Sequence, residues 1–220
     1  MPDSVETFDL ITMGRIGVDL YPLQPGVPLP QVESFGKFLG GSAANVAVAA
    51  ARLGRSTAVI TRTGNDPFGT YLHQALEEFG VDDRFVTPVD AYPTPVTFCE
   101  IFPPDDFPLY FYRQPKAPDL EIRTEELDFF ALRAARIFWI TGTGLSEEPS
   151  RSATLAALKA RTKGAPRSST STGARCSGRT HGRPARTTPR RCATRPWPSA
   201  TSTSARSPPA YANPGPAPRR

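Results

Sequence analysis

Gly40-Gly41-Ser42-Ala43-Ala44-Asn45-Val46-Ala47-Val48-Ala49-Ala50-Ala51-Arg52-Leu53-Gly54 has a glycine start, an alanine-rich body and a glycine stop, the marks of a helix with both ends defined. Small side chains on most of its sides imply close packing against a sheet. Thr57 to Thr61 supplies the β-branched run that follows it. Phe8 to Met13, ending at Gly14, supplies an apolar run before it, as a buried strand opening at a glycine turn would. Strand, helix, strand is the unit of a parallel sheet.

Working outward, Ile16 to Tyr21 continues extended until Pro22 closes it. A second helix is predicted from Asp66-Pro67 to Phe79-Gly80: Asp66 suits the cap, Pro67 the first turn, and Tyr71, Leu72, Ala75, Leu76 and Phe79 recur at helical spacing. Val96 to Phe102 and Leu109 to Tyr112 flank Pro103-Pro104-Asp105-Asp106 and predict a hairpin. A hairpin between βαβ units breaks the alternation, so it is expected to stand off the main sheet in a small β lid built from segments near 16–38 and 95–113. The alternation resumes with a helix around Thr124 to Ala135, a strand Ile137 to Thr141, and a helix announced by Ser146, Glu147, Glu148 and Pro149 that runs out near Arg161. A right-handed crossover must then return to another parallel strand. No apolar run is written there, so the sheet is expected to stop unfinished.

Composition divides the 220 residues into two materials. Every Val, Ile, Leu, Phe and Met lies at or before Leu158, which leaves the last stretch without core-forming side chains. No Asp or Glu follows Glu148, while eleven of the 26 basic residues are arginines from Arg167 onward. Subtracting those eleven leaves 15 basic against 21 acidic residues over 1–163, a formal charge of −6. The sequence pI near 9.4 therefore belongs to the tail. The expected division is 1–163, a folded α/β part with its lid, and 164–220, a low-complexity Arg/Pro/Ser/Thr tail that is frameshifted or disordered. Three cysteines, an odd number without metal-ligand spacing, argue against a disulfide framework and for a reducing compartment. With no basic and apolar leader and no apolar run long enough for a bilayer, the expected location is the cytoplasm, with no membrane partner.

Candidate binding residues follow from chemistry. Asp19 sits near a strand exit, where ligands gather in open α/β sheets, and a carboxylate there can accept hydrogen bonds from two sugar hydroxyls. Gly40 and Gly41 let backbone approach a ligand, with N–H groups at the helix start as donors, and Asn45 one turn in can donate and accept. Arg113 presents paired donors that suit an acidic or keto substituent. Each has a plainer rival: a strand end in solvent for Asp19, a simple turn for the glycines, an exposed helix position for Asn45 and a solvated charge for Arg113. The glycines of Thr141-Gly142-Thr143-Gly144 fit a loop near substrate and a strand-to-helix connection equally well.

The glycine pair, the alanine-rich helix carrying Asn45, and Thr63-Gly64-Asn65-Asp66-Pro67-Phe68-Gly69 together resemble the N-terminal signature of the PfkB carbohydrate kinase family, over about Phe8 to Arg161. Within it, Met13-Gly14-Arg15-Ile16-Gly17-Val18-Asp19-Leu20-Tyr21-Pro22 and Leu109-Tyr110-Phe111-Tyr112-Arg113 are most similar to the 5-dehydro-2-deoxygluconokinase branch of inositol catabolism. The resemblance implies a ribokinase-like parallel sheet flanked by helices with a β lid, ATP as phosphoryl donor with Mg²⁺, and a small sugar or sugar-acid substrate. It also allows a homodimer through the lid. Fructokinase, ribokinase and 2-keto-3-deoxygluconate kinase remain open, as does a non-catalytic sugar-binding fragment.

The family takes its catalytic carboxylate and a phosphate-facing helix start from a C-terminal Gly-Ala-Gly-Asp motif. No such motif occurs in these 220 residues, so no catalytic residue is assigned and the expected turnover is nil or nearly so. The tail suggests an origin. Stepping the reading frame back one nucleotide turns each TCN serine codon into Val, Leu, Ile or Phe and each ACN threonine codon into Asp, Asn, His or Tyr. Ser168-Ser169-Thr170-Ser171-Thr172 then reads apolar, apolar, Asp, apolar, Asp, the pattern of a missing strand, and Ser168 to Gly178 can read VLDLDWRPMFW. Thr194 to Ser204 can likewise read HATVAVGNLDE, with the Asn-x-x-Glu pattern of ribokinase-like enzymes. A shift near Gly164 to Arg167 is the reading this supports. DNA sequence across codons 160 to 170 checks it: early stops in the alternate frame, or no Gly-Ala-Gly-Asp further on, would exclude it. The rival is a genuine disordered arm. It is not read as a nucleic-acid binder, because no lysine follows Lys163 and Trp197 and Tyr211 are its only aromatics.

Overall fold

Residues 7–162 and 169–172 are described by the computed structural model. Its first strand, β1 (Leu10–Met13), is buried along its whole length, as the unbroken apolar run requires. The chain then leaves the main sheet for β2 (Gly17–Pro22) and β3 (Phe35–Gly40) and returns through α1 (Ser42–Arg52) to β4 (Thr57–Gly64). The helix ends are those marked in the sequence: Gly41 stands at the N-cap with φ +96°, and Gly54 has φ +74°. The Gly54 and Arg55 amides reach back to the carbonyls of Ala51 and Ala50 at 2.8 and 3.1 Å, satisfying groups a helix end would otherwise leave open.

Beyond β4 come α2 (Pro67–Glu78), β5 (Val81–Asp82), β6 (Val86–Val89), β7 (Val96–Cys99), β8 (Leu109–Tyr112), α3 (Phe129–Ala134), β9 (Ile137–Thr141), α4 (Ser150–Thr162) and β10 (Ser169–Thr172). The main sheet runs β10-β9-β1-β4-β5, with β6 on the far half of β4, and all its pairs are parallel. Period-two alternation sends neighbouring side chains to opposite faces. Ile11, Met13, Ala58, Ile60, Phe138 and Ile140 pack with Leu132, Ala153 and Ala157 of α3 and α4. On the other face Val59 joins Ala43, Ala44 and Ala47 of α1 and Leu72 and Leu76 of α2. The lid is a separate sheet, β3-β2-β7-β8, in which β7 and β8 form the predicted antiparallel hairpin.

Two sequence expectations need correction. The helix over 124–135 is split: a single 3-10 turn covers Thr124–Glu126, Leu127 is extended, and α3 begins only at Phe129. The cause is Asp128, whose carboxylate accepts the amides of Phe130 and Ala131 at 2.9 Å each and starts a new helix. Arg161 closes that helix by donating to the carbonyls of Leu132 (2.9 Å) and Ala135 (2.6 Å), a cation at the negative end. The sheet also does not stop at β9, because Ser169–Thr172 pairs with it in parallel from Ser169–Phe138 to Thr172–Thr141. A ladder needs only backbone N–H and C=O groups, and threonine is a favourable strand residue, so the missing apolar character does not prevent pairing. Within the tail expected to be disordered, Ser169–Thr172 is therefore an ordered strand; the rest of 164–220 lies outside the described residues.

Asp66 caps α2 as expected, accepting from the Gly69 amide at 2.8 Å. It also accepts from the Thr94 amide (2.7 Å) and hydroxyl (2.8 Å), while Thr94 Oγ1 accepts from the Gly64 amide at 3.0 Å. Burial alone would raise this carboxyl, but the hydrogen bonds from Thr94 and Gly69 hold it below the usual carboxylate value of 3.8. A depressed carboxyl stabilises the fold above its unfolded pKa and loses that contribution as pH falls through the folded one. Asp66→Asn is therefore expected to cost stability at neutral pH and to lessen the loss on acidification below pH 3.8, measured by urea unfolding at pH 7 and pH 3. Parallel pH profiles for variant and parent would overturn the assignment.

Candidate functional site

β1 lies between β4 and β9. The chain passes from β1 to β4 on one side and later returns to β9 on the other, so the crevice at the carboxyl ends of these strands is a topological switch point, where α/β sheets bind ligands. The lid stands over it and encloses a cleft of about 640 Å³, within the size range of small-molecule sites. A second cavity of about 80 Å³ beside Arg62 and Glu126 is below that range, and those two side chains form an ion pair within it.

Asp19 reaches the cleft from β2, half-buried, between Phe38 of β3 and Thr97 of β7. Its Oδ2 accepts from the Tyr21 hydroxyl at 3.3 Å. Burial raises its carboxyl pKa, opposed by hydrogen bonds from Tyr21 and Thr97. Burial and the neighbouring Asp19 charge push the Tyr21 phenol up to about 12, so at neutral pH it stays a donor. The result is a carboxylate, an acceptor-only group, with part of its capacity spent on the wall that holds it and the rest facing the cleft.

The two glycines have different duties. A Cβ on Gly40 would overlap all three atoms of the Asp19 carboxylate group. Gly40 is buried and does not line the cleft; its lack of a side chain is what gives Asp19 room. A Cβ on Gly41 would collide with the Arg15 carbonyl oxygen. Gly41 and Ser42 do line the cleft, at the start of α1. Asn45 is exposed on α1 and is not among the lining residues.

Arg113 lines the cleft where the chain leaves β8, its guanidinium 4.3 Å from the Phe111 ring centre. From the loop after β9, Thr143 lines the cleft and its hydroxyl lies 2.7 Å from that of Thr141. The structure thus brings Asp19, Gly41 and Arg113 to one cleft, puts Gly40 behind Asp19 and leaves Asn45 outside.

Sequence reasoning passed over Arg15, Tyr21, Thr97, Lys116 and Glu147, all of which line the cleft. Tyr21 could have been found, since it follows Asp19 by two residues on a strand and so shares its face. Glu147 was read as a helix-start residue, yet it pairs with Lys116 at 3.4 Å across the chain, a contact with no local signal. Among the described residues no group of three or more His, Cys, Asp or Glu could hold a metal ion.

A parallel sheet with a second sheet as lid, and a carboxylate reaching their shared cleft from the lid, is the arrangement of a ribokinase-like carbohydrate kinase. Residues 4–173 match the model of the pfkB family carbohydrate kinases, and the chain belongs to that family. It is 39% identical over 152 residues to a 5-dehydro-2-deoxygluconokinase of Photobacterium profundum, covering 69% of this chain and 45% of that protein. It is 34% identical over 152 residues to the enzyme of the same name from Shouchella clausii, covering 69% and 46%. The fold is similar to a PfkB protein from Polaromonas sp. JS666 (TM-score 0.65, 27% identity, 71% of this chain and 53% of that one). A sugar kinase from Pyrococcus horikoshii, solved in complex with ATP, is also similar (TM-score 0.59, 29% identity, 68% and 48%). The chain spans about half the length of the curated relatives it matches.

Proposed function

We propose that this sequence carries the sugar-binding half of a kinase that moves the γ-phosphoryl of ATP to a hydroxyl of a sugar acid, with 5-dehydro-2-deoxygluconate as substrate and inositol catabolism as its setting. One observation carries the reading: the half-buried Asp19, held by Tyr21 and given room by Gly40, faces a cleft large enough for one monosaccharide. The relatives of that name support the choice of substrate. Asp19 would accept hydrogen bonds from two ring or chain hydroxyls, the amides at the start of α1 would donate to others, and Arg113 would meet a keto or acidic oxygen. In the whole enzyme ATP would supply the phosphoryl group, and Mg²⁺ would neutralise the phosphates.

The polypeptide as written contains no Gly-Ala-Gly-Asp, so we take it to bind sugar without phosphorylating it. Its tail from about residue 164 is proposed to be a shifted frame. No described helix is long and apolar enough to cross a membrane, which is compatible with a cytoplasmic place. The lid edge β8, exposed at all four positions, is where two copies would pair.

Isothermal calorimetry with 5-dehydro-2-deoxygluconate, fructose and ribose, with and without ATP and Mg²⁺, tests this. Heat with the sugar acid and no product is the expected result. No heat with any sugar would exclude the binding role, and turnover would exclude the missing-base account. A second expected outcome concerns Gly40→Ala. Its new methyl group lands on the Asp19 carboxylate, so sugar affinity should fall by roughly tenfold or more, the equivalent of about 1.4 kcal/mol, with the far-UV spectrum unchanged. Unaltered affinity would separate Gly40 from Asp19.

A further inference from the structure

Three cations line the cleft: Arg15, Arg113 and Lys116. They are not equally available to a ligand. Lys116 has three protons, and three acceptors lie around its ammonium: Glu121 Oε1 at 2.7 Å, the Glu148 carbonyl at 2.8 Å and Glu147 Oε1 at 3.4 Å. Arg113 leans on Phe111 at the lid, where the chain leaves β8. Arg15 is different. It occupies the turn between β1 and β2, on the floor of the cleft, with its carbonyl packed against Gly41. Its side chain is 15% exposed, and its one hydrogen bond among the described residues runs from Nε to Asp119 Oδ1 at 2.8 Å. A guanidinium carries five N–H donors in a fixed fork, so the four on its terminal nitrogens have no protein acceptor there.

Asp119 is the reason the fork is held in place. It is 1% exposed, on the 3-10 turn Pro118–Glu121, and its Oδ2 has no hydrogen-bond partner among the described residues. A buried carboxylate with one satisfied oxygen is costly unless its cation stays beside it, and that requirement anchors Arg15 through Nε. A side chain so anchored, mostly buried and lining a cleft with its terminal donors unspent, is preorganised for an oxyanion.

We propose that Arg15 binds the carboxylate of a sugar-acid substrate through its terminal nitrogens, and that Asp119 is the positioning residue that aims it. This deepens the proposed function and rests on it: the sugar acid would be read at its hydroxyls by Asp19 and at its charged end by Arg15. Specificity for an acid over a neutral sugar then resides in the Arg15–Asp119 pair, and of the two oxygens open to Arg113 the keto oxygen is the one left to it.

The test uses the full chain, calorimetric titration with 5-dehydro-2-deoxygluconate, and titration with the same molecule carrying a primary alcohol in place of the carboxylate. The reading is the ratio of the two affinities. Arg15→Gln should lower that ratio tenfold or more, and Asp119→Asn should lower it in the same direction by less. Because each of these strands a buried partner and can unfold the chain, the double variant Arg15→Met with Asp119→Leu removes both charges together. It should melt cooperatively and still lose the preference for the acid. Arg15→Lys should restore part of the preference, as a charge without the fork. Equal losses for both ligands in the folded variants, or an unchanged ratio, would overturn the proposal. So would Arg15-dependent binding of inorganic phosphate with none of the sugar acid, which would assign the fork to a phosphoryl group. If Asp19→Ala leaves sugar-acid affinity intact while the Arg15 variants lose it, the hydroxyl-binding role of Asp19 fails and the carboxylate assignment stands.

Discussion

Asp19→Ala is expected to remove measurable sugar binding while leaving the fold in place. A hydrogen bond to a charged group contributes about 1.5–3 kcal/mol, so losing two to sugar hydroxyls costs about 3–6 kcal/mol, or roughly 100- to 10,000-fold in Kd. The fold should survive because Asp19 is on the lid, its carboxylate is held by the lid's own Tyr21 (3.3 Å) and Thr97, and neither of the two apolar clusters includes it. Calorimetry reads the affinity, and near-UV circular dichroism reads the packing around Tyr21. Affinity within threefold of the parent would remove Asp19 from the site. Asp19→Asn is the sharper companion, because it keeps the shape and replaces one acceptor oxygen with a donor nitrogen. It should weaken binding nearly as much.

Phe138→Ala should be the most destabilising single change in the main sheet. Phe138 is 1% exposed and the largest of the fully buried side chains among the described residues, on β9 between β1 and β10. Phe-to-Ala changes in cores cost about 3–5 kcal/mol, set against a typical total of about 5–15 kcal/mol. The outcome is a large fall in the urea midpoint, or no cooperative transition. A loss under about 1 kcal/mol would place Phe138 at a site able to collapse around the gap.

Most of the main sheet was legible because its signals are local. A run of small residues between two glycines gives α1, an Asp-Pro pair gives the start of α2, and Ile137–Thr141 gives β9. What escaped was settled by one side chain or by backbone alone. Asp128 restarts a helix that periodicity makes continuous, and Ser169–Thr172 pairs without any apolar residue. The site was half legible. Asp19, Gly41 and Arg113 announce themselves through position beside glycines or strand ends, whereas Arg15 acquires its importance from Asp119, 104 residues away in the chain. No window of sequence contains that pair. Gly40 was noticed for the wrong duty: it makes space for a neighbouring carboxylate rather than for a ligand.

Among the described residues the two sheets have no ladder of backbone hydrogen bonds between them; the chain itself crosses at Gly14–Ile16, at Gly40–Gly41, at Thr94–Pro95 and again after Arg113. A guest held by Asp19 on the lid sheet and by the start of α1, which packs against the main sheet, would therefore act as a rivet between two plates. Its arrival should slow amide exchange at Asp19, Leu20 and Thr97, far more than at Ile11 or Val59, which are clamped already.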